Sequence, residues 1–221
     1  MNEPAWSYSS LTAYETCPYR YFLTRVTKEV KEPPTDATRH GVAVHLALEL
    51  RLRDKTPLPA AYAAYEKYCV SIEKSGGTVC AEEQYALAGT LQRVDWFAKN
   101  VWVRSILDVS IFNGKNAAVL DWKTGKVKPE SAQLKLSAAM IFHTHPEVQK
   151  VSSGFIWLKE DKITKETFTR ENDLHLIWKE FLPRVKRLTL AVAESKWEKK
   201  PSGLCRNWCP VGKSKCQHCG I

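Results

Sequence analysis

The sequence predicts a mixed α/β or α+β domain, and two changes of pattern along the chain support that prediction. In the first third, apolar residues recur at helical spacing, as Val42, Leu46 and Leu50 do. From residue 78 to 123 the chain becomes strand-like, with β-branched and apolar residues on successive positions. Helical spacing then returns and is followed by further strand patterns. This order of elements is typical of a sheet that is covered by helices.

Three helices are predicted before the first strand. Ser9 or Ser10 can cap the first helix, because serine side chains accept hydrogen bonds from the free amides of a helix start. A loop follows around Pro33, and the second and third helices cover residues 39–54 and 60–74. Adjacent glycines then mark the turn into the sheet.

The strands are predicted from apolar patterns that are bounded by turn residues. The segment "NGK" at Asn113 to Lys115 predicts a tight hairpin turn between two of them. The predicted strands cover residues 78–87, 101–112, 116–123, 151–161 and 163–170. Helices are predicted at 131–145 and over most of 172–200.

These elements predict one domain over residues 1–221, made of four consecutive parts. The parts are a helical segment 1–75, a sheet core 76–170, a C-terminal helix 171–204 and a Cys-rich tail 205–221. With 44% hydrophobic residues the chain has enough apolar side chains for a core.

The charge balance and the cysteines restrict the kind of partner and the cellular compartment that we expect. The chain carries 33 Lys and Arg against 24 Asp and Glu, a net charge of +9, which favours a polyanionic partner such as nucleic acid. It contains no apolar run long enough to span a membrane and no signal-peptide pattern, so we expect a cytoplasmic protein. Seven cysteines in that reducing setting indicate metal ligands or buried thiols rather than disulfides.

The segment "VLDWKTGK" places two charges where an apolar strand ends. Asp121 and Lys123 are two residues apart, so on a strand they share a face. Asp108 lies on the preceding strand of the predicted hairpin, where its carboxylate can approach that of Asp121. Two such carboxylates can hold Mg²⁺, and the lysine can then assist a water or offset phosphate charge. The alternative is an ordinary ion pair at a strand edge.

The whole set of motifs resembles the PD-(D/E)XK nuclease superfamily, in its RecB-nuclease-like branch. That branch includes phage exonucleases and CRISPR-adaptation exonucleases. Besides the Asp108 and Asp121–Lys123 hairpin, three segments carry the resemblance. They are "SYSSLTAYETCPYRYF" at the N-terminus, "GVAVHLALE" around His45 and "QLKLSAAMI" beginning at Gln133. Ser137 stands where the last motif usually has tyrosine.

The resemblance implies a restriction-endonuclease-like core and a site with defined roles. His45, Glu82, Asp108 and Asp121 would hold Mg²⁺ or Mn²⁺, Lys123 would be the catalytic lysine, and Gln133 would help to position the site. Glu83 competes with Glu82 for the role of ligand, and the sequence leaves that choice open.

The Cys-rich tail suggests a second metal site. Cys205, Cys209, Cys216 and Cys219 have the spacing C-x3-C-x6-C-x2-C, and thiolates of this density suit zinc or an iron–sulfur cluster. The resemblance implies a [4Fe–4S] cluster held by Cys17 and three of these four residues. Zinc and the absence of any metal remain alternatives. The two other cysteines, at positions 69 and 80, are expected to be buried thiols.

The resemblance implies a metal-dependent exonuclease that hydrolyses phosphodiester bonds from DNA ends, in DNA recombination, repair or phage DNA processing. The expected partner is DNA, with its ends preferred, in the cytoplasm of a bacterium or a phage-infected host, and the sequence leaves protein partners unknown. No phosphate-binding loop motif is present, so ATP is not implied. The alternatives are a non-catalytic DNA-binding module with a zinc tail and a structural domain with an inactive nuclease core.

Overall fold

A computed structural model describes residues 5–129 and 131–220. They form two compact units. The sheet unit contains residues 35–180, and the terminal unit combines the residues up to Pro34 with those from Phe181 onward. Among the described residues, no helix is both long and apolar enough to cross a membrane.

The sheet unit is built on one mixed sheet of six strands. The strands are β1 Thr78–Ala88, β2 Arg93–Val94, β3 Val101–Asn113, β4 Asn116–Lys123, β5 Lys150–Trp157 and β6 Lys162–Thr169. Their order is β2-β1-β3-β4-β5-β6, and only β4 and β5 run parallel to each other. The five predicted strands and the hairpin turn are therefore confirmed. The two-residue strand β2 was not predicted, because it is too short to show a periodic pattern.

The described residues form seven α-helices. They are α1 Tyr8–Thr16, α2 Pro18–Tyr21, α3 Asp36–Asp54, α4 Glu66–Glu73, α5 Ala132–Thr144, α6 Arg170–Glu194 and α7 Leu204–Asn207. Helices α3 and α4 pack on one face of the sheet, where Val109, Ile111 and Trp122 lie in the same buried cluster as Val44 and Leu48. The mixed α/β class, a central sheet flanked by helices, is thus confirmed.

Helix boundaries differ from the predictions at three points. Ser7, rather than Ser9 or Ser10, caps α1, since its Oγ accepts the Ser10 amide at 3.2 Å while the Ser7 amide donates to Ser10 Oγ at 2.8 Å. Helix α3 begins in the predicted loop, because Thr35 caps it. The predicted third helix is divided into a 3₁₀ turn and α4.

The terminal unit has its own buried contacts. Trp6 is buried and stacks on Phe181 at a centroid distance of 5.8 Å. Arg184 binds the carboxylate of Glu15 through two nitrogens, at 2.8 and 2.7 Å, which ties α6 to α1. The apolar face of α6 includes the buried Leu188.

Candidate active site

Three side chains from three elements of the sheet unit converge on one point. His45 lies on α3, Glu82 on β1 and Asp108 on β3. One ligand atom of each lies within 4.8 Å of the others. We call this set the carboxylate–histidine group. Two of its donors are carboxylate oxygens, which suit Mg²⁺ or Mn²⁺, and the third is an imidazole nitrogen.

Strand β1 departs from regular geometry inside this group. Glu82 has a φ of 53°, in the left-handed region that residues other than glycine seldom adopt. The adjacent Glu83 instead accepts hydrogen bonds from the hydroxyls of Tyr85 and Ser110, the second at 2.8 Å. The two neighbouring carboxylates therefore have different surroundings, and Glu82 is the one that joins the carboxylate–histidine group.

The hydrogen bonds of His45 fix which of its nitrogens can face a cation. Its Nε2 lies 3.0 Å from the backbone oxygen of Trp122, which can only accept, so Nε2 carries a hydrogen. Its Nδ1 lies 3.3 Å from Asp108 Oδ2, which also accepts the Trp122 amide at 2.8 Å. Without a proton on Nδ1, two lone pairs would face each other. Either a proton or a metal ion satisfies this arrangement.

Asp121, Lys123 and Gln133 form a second set next to the first. Lys123 Nζ lies 2.6 Å from Asp121 Oδ2 and donates to Gln133 Oε1 at 2.9 Å. Gln133 Nε2 donates to Asp121 Oδ1 at 2.5 Å. The glutamine at the start of α5 thus fixes both charged side chains of β4. Asp121 lies outside the carboxylate–histidine group, with only 14% of its side chain exposed.

The electrostatics of the site show an excess of negative charge. Burial, together with the charges of Asp108, Glu49 and Asp121, raises the pKa of Glu82 to about 7. Burial and then the charge of Asp108 likewise raise the pKa of Asp121, against the opposing effect of Lys123. Burial acts to lower the pKa of His45, but the hydrogen bond and charge of Asp108 outweigh it and raise that pKa. A divalent cation would offset these repulsions.

The motif around His45 also contains a glycine with a steric role. A Cβ on Gly41 would lie 3.3 Å from the hydroxyl of Thr124, one residue after Lys123. Glycine therefore lets α3 approach the end of β4 closely, which helps to place His45 beside the strand. Ser137, the departure from the motif, is buried and donates to the backbone oxygen of Gln133 at 3.0 Å.

The predicted second metal site lies entirely in the terminal unit. Cys17, Cys205, Cys209, Cys216 and Cys219 all line one pocket, together with His218. Burial, then hydrogen bonds with two of its neighbours, raises the pKa of the Cys219 thiol to about 12. Among the described residues no three cysteine Sγ atoms lie within 4.8 Å of one another. Tetrahedral zinc with Zn–S bonds near 2.3 Å would need sulfur atoms about 3.8 Å apart. The described thiols are therefore not arranged as a tetrahedral zinc site in this structure.

The remaining two cysteines lie in the sheet unit. Cys69 is fully buried on α4, and burial raises the pKa of its thiol to about 11. Cys80 is only partly buried. Both are free thiols.

Comparisons with known proteins agree with this geometry. The family model of the PD-(D/E)XK nuclease superfamily matches residues 5–217, so the chain belongs to that superfamily and is a nuclease by class. No curated protein matches the chain.

Two solved structures share the fold. The crystal structure of SSO0001 has a TM-score of 0.52 at 16% identity and covers 98% of this chain and 89% of its own. A provisionally named exonuclease from Eubacterium rectale also has a TM-score of 0.52, at 14% identity, over 94% of this chain and 88% of its own. At these identities the likeness concerns the fold alone.

Proposed function

We propose that the protein is an Mg²⁺- or Mn²⁺-dependent exonuclease that hydrolyses phosphodiester bonds from DNA ends. The observation that carries the proposal is the placement of the carboxylate–histidine group beside the Asp121, Lys123 and Gln133 set. Recombination, repair or phage DNA processing in a bacterial cytoplasm would use such an activity.

We assign the following roles to the residues, and their contacts support this assignment. His45, Glu82 and Asp108 hold the metal, and Asp121 supplies a further carboxylate next to it. When bound, the metal supplies Lewis-acid chemistry that polarises the phosphate and activates water. Lys123 presents its ammonium at the edge of the site, where it stabilises negative charge that develops on phosphate oxygens. Gln133 holds the side chains of Lys123 and Asp121 in position through its two hydrogen bonds.

Digestion of DNA with and without free ends tests the proposal. The substrates are end-labelled linear DNA and closed circles, single- and double-stranded, with Mg²⁺, with Mn²⁺ and with EDTA. We expect nucleotides from linear DNA with either metal, intact circles, and no cleavage in EDTA. Cleavage of circles would make the protein an endonuclease instead. Metal-independent DNA binding without any cleavage would support a DNA-binding module with a zinc tail.

Adjacent substitutions test which glutamate is the ligand. Glu82→Gln is expected to lower the cleavage rate at limiting Mn²⁺ at least about 100-fold, because it removes a charged ligand. Glu83→Gln keeps an oxygen that accepts from Tyr85 and Ser110, so its rate should stay within a few-fold of wild type. The measurement is the initial rate over a Mn²⁺ titration. Equal losses in the two variants would contradict the assignment of Glu82.

The pKa shifts predict how pH affects the metal-free protein. The pKa of Glu82 is about 7 in the folded protein against an ordinary value of 4.5, so the folded state binds more protons in that window. In EDTA the contribution of Glu82 to stability therefore falls as the pH rises from about 4.5 to about 7. His45, whose pKa is also raised, acts in the same direction. Thermal melts in EDTA across this window should show a smaller decline for Glu82→Gln than for wild type.

Metal binding should in turn release protons. Mn²⁺ competes with the protons on Glu82 and His45, so its affinity should increase from pH 6 to pH 8. Calorimetry in buffers of different ionisation enthalpy measures the affinity for Mn²⁺ and the number of protons released per ion. We expect more proton release per Mn²⁺ at pH 6 than at pH 8. An affinity independent of pH would show that these two groups do not bind the ion.

The terminal unit is proposed to hold a [4Fe–4S] cluster through Cys17 and three of the four tail cysteines. The shared lining of one pocket by all five cysteines supports a site that joins the N-terminal segment to the tail. Its role would be to tie the N-terminal segment covalently to the tail. Anaerobically purified protein should contain iron and sulfide and absorb near 400 nm, and Cys17→Ser should lose both features and melt at a lower temperature. Stoichiometric zinc without iron would overturn this proposal.

A further inference from the structure

The two units differ strongly in charge. Over its two sequence segments, the terminal unit has 13 Lys and Arg against 6 Asp and Glu, whereas the sheet unit has 20 against 18. Most of the net positive charge, +7 of +9, therefore belongs to the unit that lacks the carboxylate–histidine group. The excess is concentrated in residues 196–220, which contain six Lys and Arg and a single acid, Glu198.

One side of this basic tail, residues 196–220, is buried, and the other side is exposed to solvent. Its four cysteines line the pocket described above, and Val211 and Cys216 are buried with Leu23. The outside carries Trp208, a residue that is 71% exposed. An indole exposed to that extent is unusual, because tryptophan is highly buried on average.

The position of Trp208 is fixed by the chain around it. Its amide donates to the backbone oxygen of Leu204 at 3.0 Å, which closes the short helix α7. Cys205 and Cys209, on either side of it in the sequence, both line the inner pocket. The indole is therefore held outward on an ordered backbone. Arg206, on α7, and Lys213 are exposed cations in the same segment.

We propose that the basic tail is a binding surface for single-stranded DNA, with an unpaired base stacked on Trp208 and phosphates contacted by Arg206 and Lys213. The inference rests on the proposed function, and it adds a contact that lies outside the metal site. Every base has a flat face that can stack on an indole, so such a contact is independent of sequence. Bases within a duplex already stack on each other, and the surface therefore favours a single strand or a frayed end.

Binding in EDTA separates this contact from catalysis. Fluorescence anisotropy of a labelled oligothymidine, with the full-length protein, gives the affinity over a series of salt concentrations. Trp208→Ala is expected to weaken binding about 10- to 100-fold, and Trp208→Phe much less, because a phenyl ring still stacks. The dependence on salt should be unchanged in both, since neither removes a charge. A plot of log affinity against log salt has a negative slope. Arg206→Gln should reduce the magnitude of that slope by about 0.7, because one phosphate contact is lost.

Phe97 provides a matched control. It is an aromatic residue of the sheet unit that is 87% exposed, and Phe97→Ala should leave the affinity unchanged. The melting temperature and metal content of Trp208→Ala should equal those of wild type. This control separates the loss of base stacking from unfolding of the tail. Trp208→Phe, as the conservative variant, keeps the test valid if alanine disturbs the tail.

The outcomes distinguish this inference from the proposed function. If wild type cleaves DNA with Mn²⁺ but Trp208→Ala binds the oligonucleotide as tightly as wild type, the inference is wrong and the nuclease activity stands. Equal losses in Trp208→Ala and Phe97→Ala would also overturn it. If wild type neither binds nor cleaves DNA, both proposals fail.

Discussion

Replacing Lys123 by methionine is expected to lower the rate of DNA cleavage at least about a thousandfold at saturating Mn²⁺. The ammonium of Lys123 lies 2.6 Å from Asp121 and is held by Gln133, so no other cation of the site has the same position. The ammonium also lies 4.7 Å from the centroid of the Phe155 ring, and methionine keeps an unbranched chain of similar length without the charge. The loss should therefore appear in kcat, with little change in the affinity for DNA. Single-turnover cleavage of end-labelled DNA measures it.

Lys126→Met is the matched control for that variant. Lys126 is exposed in the loop that follows β4, and its replacement should leave the cleavage rate within about twofold of wild type, as for most surface changes. A Lys123→Met protein that is folded by circular dichroism and cleaves at the wild-type rate would show that the ion pair with Asp121 is only structural.

Asp108→Asn is expected to weaken Mn²⁺ binding at least about 100-fold and to abolish cleavage at physiological metal concentrations. The asparagine oxygen can still accept the amide of Trp122, so the hairpin should keep its geometry. What is lost is the charge that faces His45. The same charge raises the pKa values of Glu82 and Asp121, so its removal relieves repulsion in the metal-free protein.

The Asp108→Asn protein should accordingly melt no lower than wild type in EDTA, while wild type gains more stability when Mn²⁺ is added. Calorimetry and thermal melts with and without metal provide the measurements. Asp95→Asn, an exposed carboxylate of the same unit, is the control and should behave as wild type. Wild-type Mn²⁺ affinity in Asp108→Asn would remove this residue from the metal site.

Much of this architecture could be predicted because strands, helices and tight turns are encoded by residues that are close together in the sequence. Alternation along a strand was enough to place Asp121 and Lys123 on one face, and the "NGK" turn paired β3 with β4. The proximity of Gln133 to both charges came from the family resemblance alone, since twelve residues and a change of element separate it from Asp121.

Other features depend on conformation that sequence patterns do not encode. The choice between Glu82 and Glu83 depends on the left-handed backbone of Glu82, and neither residue type signals it. Ser7 competes with two nearby serines for the cap of α1, so the pattern alone did not identify the right one. The hydrogen bonds of Glu83 with Tyr85 and Ser110 join two strands, and no spacing along the chain could show them.

The most direct test of the central claim compares metal binding with cleavage in wild type and Lys123→Met. Bound Mn²⁺ is followed by electron paramagnetic resonance while nucleotide release from end-labelled linear DNA is measured in the same samples. We predict that both proteins bind Mn²⁺ and that only wild type releases nucleotides. Release at equal rates by both, or no release by wild type with the ion bound, would contradict a nuclease centre built on Asp108, Asp121 and Lys123.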